Sequence, residues 1–203
     1  MPGWISLSMN EKPSFLTLLD RSATRLTTLA DGEVVFRAGD RARGLFCVEQ
    51  GSVRLIRHLP DGSTATLHRA NRGGLFAEAA VFADCYHCDA VAEQASLVRL
   101  FTKQSVRRAL LLDETFAEAF TAHLARQVQD LRARIEILTL KSAADRVLAY
   151  LRLHESGGET VVDQPLKSLA GEIGITHEAL YRTLSRLRKS GKIERIGNRF
   201  LFR

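Results

Sequence analysis

Cys85, His87 and Cys88 fall within four positions of one another in FAEAAVFADCYHCDAVAEQ, residues 76–94, with Asp84 and Asp89 beside them. Two thiols separated by two residues can share a metal ion or form a redox pair. The chain has three cysteines, and the third, Cys47, lies well upstream. A closed tetrahedral site takes four nitrogen or sulfur ligands, and zinc and Cu(I) both favour thiolate. Cys47, Cys85, His87 and Cys88 supply four only if the fold brings Cys47 against the pair. A second chemistry is a metal-dependent hydrolase using Cys85, His87 and Glu78. Against it, no nucleophile elbow or other catalytic motif accompanies them. The bland reading is structural, since buried cysteines behave as small apolar residues.

What surrounds these residues must decide. A chain of 203 residues, 45% hydrophobic and 26% charged, can bury one large core or two modest ones. No apolar run approaches the ~18 residues that span a membrane. The stretch MPGWISLSMNEKPSF lacks the basic-then-apolar pattern of a signal peptide. The expectation is a cytoplasmic protein with no membrane association, and an odd cysteine count fits no secreted disulfide scaffold.

The net charge is +6, and its distribution is uneven: Ser142–Arg203 holds 11 basic and 7 acidic residues, the longer remainder 18 and 16. Arg182, Arg186, Arg188, Lys189, Lys192, Arg195, Arg199 and Arg203 crowd the last stretch against Glu194. Such a cluster suits a polyanion, because each neutralised phosphate releases a counterion.

Three patterns follow one another. From about Phe15 to Leu112 the chain reads as short strands. GEVVFRAGD, GLFCVEQGSVRLIRHL and STATLHRA are punctuated by glycines, with a Pro-Asp-Gly hairpin signal at 60–62. Evenly spaced strands of this kind suggest a barrel or jelly roll. From Asp113 to Lys141 neither Gly nor Pro occurs, and Leu124, Val128, Leu131, Ile135 and Leu138 are spaced 4, 3, 4, 3. That is the seam of a coiled coil on a helix of about 40 Å. Ser142 and Asp145 then form a capping signal for SAADRVLAYLRLH. The expected architecture is α+β: an N-terminal β jelly roll over 14–112, a dimerisation helix over 113–141 and a DNA-binding domain over 142–203.

Within the last region, LKSLAGEIGITHEALYRTLSRLR (166–188) predicts a short helix, a turn at Gly174 and a second helix capped by Thr176. Leu180, Leu184 and Leu187 face the core, leaving His177, Glu178, Tyr181, Arg182 and Arg186 outside. Arginine can bond bidentately to guanine, and glutamate can accept from the cytosine amino group. SGKIERIGNRFLFR continues as strand, Gly197-Asn198 turn and strand, a wing whose Lys192 and Arg199 can touch phosphates. The candidate DNA-binding residues are therefore Thr176, His177, Glu178, Tyr181, Arg182, Arg186, Lys192 and Arg199.

The sequence resembles the Crp/Fnr family of bacterial transcription regulators over nearly its whole length, from about Phe15 to Arg203. GLFCVEQGSVRL, FAEAAVF and ITHEALYRTLSRL carry the likeness most specifically. FAEAAVF looks like the family's phosphate-binding cassette, and Glu178 and Arg182 look like its Glu-x-x-x-Arg reading pair. The resemblance implies a homodimer on a near-palindromic double-stranded DNA site, with RNA polymerase as a further partner if bound protein activates. It also implies a sensor pocket, here formed by Leu55, Leu67, His68, Glu78, Cys88, Asp89 and Leu131. Tyr181 stands where other members place small residues, so the half-site is expected to deviate from theirs.

Departures from the family pattern bear on the signal. Glu78 is kept, Ala77 stands at the cassette's glycine, Cys88-Asp89 replace its Arg-Ser pair, and the base-contacting helix positions hold Leu131 and Arg132. A cysteine in place of the arginine leaves a buried phosphate without its cation, and the carboxylate beside it opposes that charge, so cAMP is not expected to bind. With no cysteine before Cys47, an iron–sulfur cluster is not expected either. His68, His87 or a cysteine could ligate haem, though no haem spacing stands out. The effector is open between a thiol or metal signal at Cys47, Cys85, His87 and Cys88 and a small organic molecule.

Overall fold

The structure is a computed structural model that describes residues 14–19, 24–162 and 164–203. The chain forms two compact units that divide between Leu124 and Ala125.

The first unit holds eight strands: β1 (Thr24–Leu29), β2 (Val34–Phe36), β3 (Gly44–Gln50), β4 (Ser52–His58), β5 (Thr64–Asn71), β6 (Leu75–Phe76), β7 (Asp89–Ala92) and β8 (Ser96–Thr102). They make two antiparallel four-stranded sheets, β1-β8-β3-β6 and β2-β7-β4-β5. The Pro-Asp-Gly signal is the β4–β5 hairpin turn, where Gly62 N donates to Leu59 O at 3.0 Å. Gly51 joins β3 to β4 at φ +82°, and a Cβ there would lie 2.2 Å from Ser96 Oγ, so only glycine fits.

β3 is buried along most of its length because it separates two cores. Phe46 and Val48 face the roll interior with Val53, Leu55, Phe76 and Val98. Leu45 and Cys47 face the opposite way, packing with Phe101, Val106, Phe116 and Phe120. This is the strand alternation of side chains put to use on both faces.

The span expected to run as strands to Leu112 ends instead in helix α1 (Lys103–Leu112), which starts directly from β8 when Thr102 Oγ1 accepts from Ser105 N at 3.2 Å. A hydroxyl N-cap satisfies one of the helix's orphan amides and turns the chain without a linker. Asp113 then ends α1 and opens α2 (Glu114–Thr139): its amide donates to Ala109 O at 2.9 Å, and its Oδ1 accepts from Phe116 N at 2.9 Å. The uninterrupted Gly- and Pro-free run is this 26-residue helix.

The second unit contains the end of α2, α3 (Ala143–Leu153), β9 (Glu159–Val161), α4 (Leu166–Glu172), α5 (His177–Lys189), β10 (Ile193–Ile196) and β11 (Arg199–Phe202). Ser142 Oγ caps α3 by accepting from Asp145 N at 3.0 Å. The sheet runs β10-β11-β9, with the Gly197-Asn198 turn at the tip of the β10–β11 hairpin. Ile137, Val147, Leu151, Leu169, Ile173, Leu180, Leu184, Leu187, Ile193 and Phe200 form one core beneath it.

Candidate nucleic-acid interface and sensor pocket

α4 ends at Ile173, Gly174 adopts the left-handed conformation at φ +66°, and Thr176 Oγ1 accepts from Ala179 N at 3.1 Å to begin α5. Leu180, Thr183, Leu184 and Leu187 form the inward stripe of α5, which leaves a polar face outward. Thr176, His177, Glu178, Tyr181, Arg182, Arg186, Lys192 and Arg199 are all exposed. Among the described residues no salt bridge joins Glu178 to Arg182, so both head groups are available to an outside partner. His177 and Tyr181 meet edge to face at 4.7 Å on the same outer face. Arg199 is the partial exception to open cations, lying 3.5 Å from Glu159 while remaining 58% exposed.

In the first unit, the interior of the roll is filled by rings. Tyr86 stacks on Phe36 at 3.6 Å and 11°, and Phe46 stacks on Phe76 at 5.0 Å and 10°. The Tyr86 hydroxyl accepts from Arg43 N at 3.1 Å and donates to Gly44 O at 3.3 Å, which fixes the ring. The cavity left over is about 10 Å³, roughly the space of a single water.

Of the expected pocket residues, Leu55 and Cys88 line that cavity; Cys85 and His87 join them, with Phe36, Ala77, Ala80 and Tyr86 as the remaining wall. Leu67 packs on the roll core. Leu131 is exposed on α2. The polar members are engaged elsewhere. His68 Nε2 donates to Leu75 O at 3.2 Å. Asp89 Oδ1 accepts from Ala38 N at 2.8 Å, and its Oδ2 lies 3.3 Å from His58 Nε2.

Glu78 is buried and meets His123 of α2, whose Nε2 donates to Oε1 at 3.0 Å. Burial alone would push this carboxyl up, but the His123 hydrogen bond, its own backbone amide and the nearby His68 bring it below the ordinary carboxylate value. His123 was not foreseen from sequence; it lies 45 positions from its partner, and no local pattern links them. Ala77, beside Glu78, has φ 62° and ψ 32°, the one non-glycine residue at positive φ among those described. The backbone there keeps a conformation suited to glycine.

Cys85, His87 and Cys88 line the small cavity, but Cys47 belongs to the core on the far face of β3, so the four candidate thiol and metal residues are not brought together. Among the described residues no group of three or more His, Cys, Asp and Glu side chains is placed to hold a metal. Burial, reinforced by Asp89 and opposed by Arg57, pushes the Cys88 thiol up, the reverse of what a reactive thiolate requires. The hydrolase arrangement is not formed either, because Glu78 is held by His123 while Cys85 and His87 line the small cavity.

The match to the cyclic nucleotide-binding domain family covers residues 26–113, the roll and α1. The transcriptional regulator LdrP of Thermus thermophilus is 29% identical over 175 residues, which cover 79% of this chain and 83% of that protein. FixK2 of Bradyrhizobium japonicum superposes with a TM-score of 0.70 at 22% identity, covering 89% of this chain and 92% of that one. A Crp-family transcriptional regulator, also of Thermus thermophilus, gives 0.61 at 24% identity, over 87% and 91%.

The roll matches the cyclic nucleotide-binding domain family, and the chain as a whole is similar to Crp/Fnr transcription regulators.

The cassette glutamate is bound to His123, a carboxylate stands where the family pattern has Arg-Ser, and rings occupy the interior. Among the described residues no helix is long and apolar enough to cross a membrane.

Proposed function

We propose that this chain is a Crp/Fnr-type transcription regulator, a cytoplasmic homodimer that binds a near-palindromic DNA site and answers to a signal other than cAMP. The working division is a sensor over 14–112, a dimerisation helix over 113–141 and a DNA-binding domain over 142–203. The observation that carries the DNA reading is the outer face of α5: Glu178 and Arg182 sit one turn apart, exposed and without an ion pair among the described residues, behind a capped glycine turn and beside a cationic wing. Glu178 and Arg182 read base edges with Tyr181 and His177 beside them. Thr176, Arg186, Lys192 and Arg199 contact the phosphates.

Support for the dimer comes from α2. Val128, Leu131, Ile135 and Leu138 keep the seam spacing and are 38–61% exposed in the single chain. Burying a side chain of this kind fully contributes about 1.5–3 kcal/mol, and a second copy of the same seam is the self-complementary cover. RNA polymerase is a further partner if the bound protein activates.

The test is a gel shift with genomic fragments at moderate salt, together with sedimentation of the free protein. Preference for particular fragments and a dimer mass are expected. Equal retardation of all fragments would remove the sequence-specific reading, and a monomer at micromolar concentration would remove the seam.

A further inference from the structure

The short segment between α2 and α3 looks like a free hinge in sequence, but one side chain ties it to the DNA-reading motif. Arg146, in the first turn of α3, donates from Nε to Leu140 O at 2.7 Å, and from Nη1 to Gly174 O at 2.9 Å and Ile173 O at 3.3 Å. Leu140 follows the last residue of α2, and Ile173 and Gly174 follow the last residue of α4. These are orphan carbonyls at two helix C-termini, where partial negative charge collects. Among the described residues no carboxylate pairs with Arg146, so the carbonyls are its partners. A single guanidinium therefore closes the ends of the long helix and of the helix that precedes the reading helix, from a position on the helix between them.

The packing agrees. A Cβ built on Gly174 would lie 2.8 Å from Leu138 Cδ2 and 3.1 Å from Arg146 Nη1. The turn backbone is thus pressed against the end of α2 as well as hydrogen-bonded through Arg146. Gly174 is two residues before Thr176, the cap of α5. The start of the reading helix is located relative to Leu138 and Leu140 through this contact.

We infer that Arg146 is a positioning residue that sets the angle of the reading helix on the dimerisation helix, and so the spacing of half-sites that the dimer accepts. The inference rests on the dimeric DNA-binding reading above. Lysine cannot replace it, because an ammonium is one point donor, whereas the fork of Arg146 supplies Nε and Nη1 in fixed relation.

The experiment uses the full chain with Arg146→Lys and Arg146→Met, and with Gly174→Ala, which keeps the arginine and wedges the same contact from the other side. Affinity is measured on DNA carrying two identical half-sites whose spacing is varied one base pair at a time. Amide hydrogen exchange is followed on the free proteins. For the unaltered chain, a shift of one base pair is expected to weaken binding by roughly 30-fold or more, and in the variants by no more than about 3-fold, with the optimum itself weakened about 10-fold. In the free variants the amides of Gly174 and Ile175 should exchange at least about 10-fold faster, while those of Val147–Leu151 stay as they are.

A folded variant with an unchanged spacing profile overturns the inference. So does uniform weakening at every spacing with unchanged exchange at 174–175. If the unaltered chain shows no sequence preference, the DNA reading fails, and the exchange comparison still decides whether Arg146 holds the turn.

Discussion

Replacing His123 by leucine tests the clamp on Glu78. The substitution removes the Nε2 donor 3.0 Å from Oε1 and leaves a side chain of similar bulk near Phe15. Glu78 is only 7% exposed, so its carboxylate cannot turn to water for the missing hydrogen bond. Taking a hydrogen-bond donor from a buried carboxyl costs about 1–3 kcal/mol, and the Glu78 backbone amide still serves the group. That is a large share of a total of about 5–15 kcal/mol. The assay is urea unfolding at fixed protein concentration, since any self-association would couple to stability. Glu78→Gln and the double variant close a thermodynamic cycle.

Acid provides the second arm of that test. In the unaltered protein the Glu78 carboxyl is held below its ordinary value of 4.5. Its contribution is therefore fully present above about pH 4.5 and is lost as pH falls through the folded pKa. In His123→Leu, burial acts without the His123 hydrogen bond, the folded pKa rises, and the penalty at neutral pH disappears on acidification. The gap between the two proteins should be widest near pH 7 and narrow as pH falls. His68 is the other imidazole near this carboxyl and stays in both proteins. A gap under about 1 kcal/mol at pH 7, or one that persists unchanged in acid, would refute the reasoning.

Other outcomes follow from the same geometry. Arg182→Ala should weaken DNA binding by about 1–3 kcal/mol and relax choice at one base pair, whereas Lys192→Ala should weaken all sites alike; equal, sequence-independent losses for both would remove Arg182 as a base reader. A thiol reagent should modify Cys85 in the native protein and reach Cys47 and Cys88 only on unfolding, because those two are 0% and 2% exposed; rapid native labelling of Cys88 would contradict the filled roll. Titration calorimetry with micromolar cAMP should show no binding, given a cavity of about 10 Å³ and the Asp89 carboxylate; tight binding would overturn that. Tyr86→Phe should cost about 1–3 kcal/mol by leaving Arg43 N and Gly44 O without their partner, read as a lower urea midpoint.

Much of the second unit was legible because its cues are local. Ser142 and Thr176 cap their helices, Gly174 takes positive φ, and Gly197-Asn198 turns the wing, each within a few residues of the feature it controls. The helix α1 was hidden for a related reason. Its apolar residues gather at its end, where Leu110, Leu111 and Leu112 run together and Val106 alone is fully buried, and its cap is the last residue of a strand. The pocket was legible only in part. Leu55 and Cys88 do line the cavity, but Tyr86 and Phe36 fill the space, and stacking between residues so far apart in the chain leaves no trace in spacing.

The sequence by itself determined the order of roll, long helix and winged helix-turn-helix, and which face of α5 points outward, since periodicity, caps and turns act over a few residues. The direction of Cys47 was decided only by tertiary structure. β3 is buried on both faces, so alternation alone does not say which core a side chain enters, and its thiol went to the core opposite Cys88. The same is true of His123 meeting Glu78 and of Arg146 reaching Leu140 and Gly174. These contacts are set by how separate elements pack, which spacing along the chain does not encode.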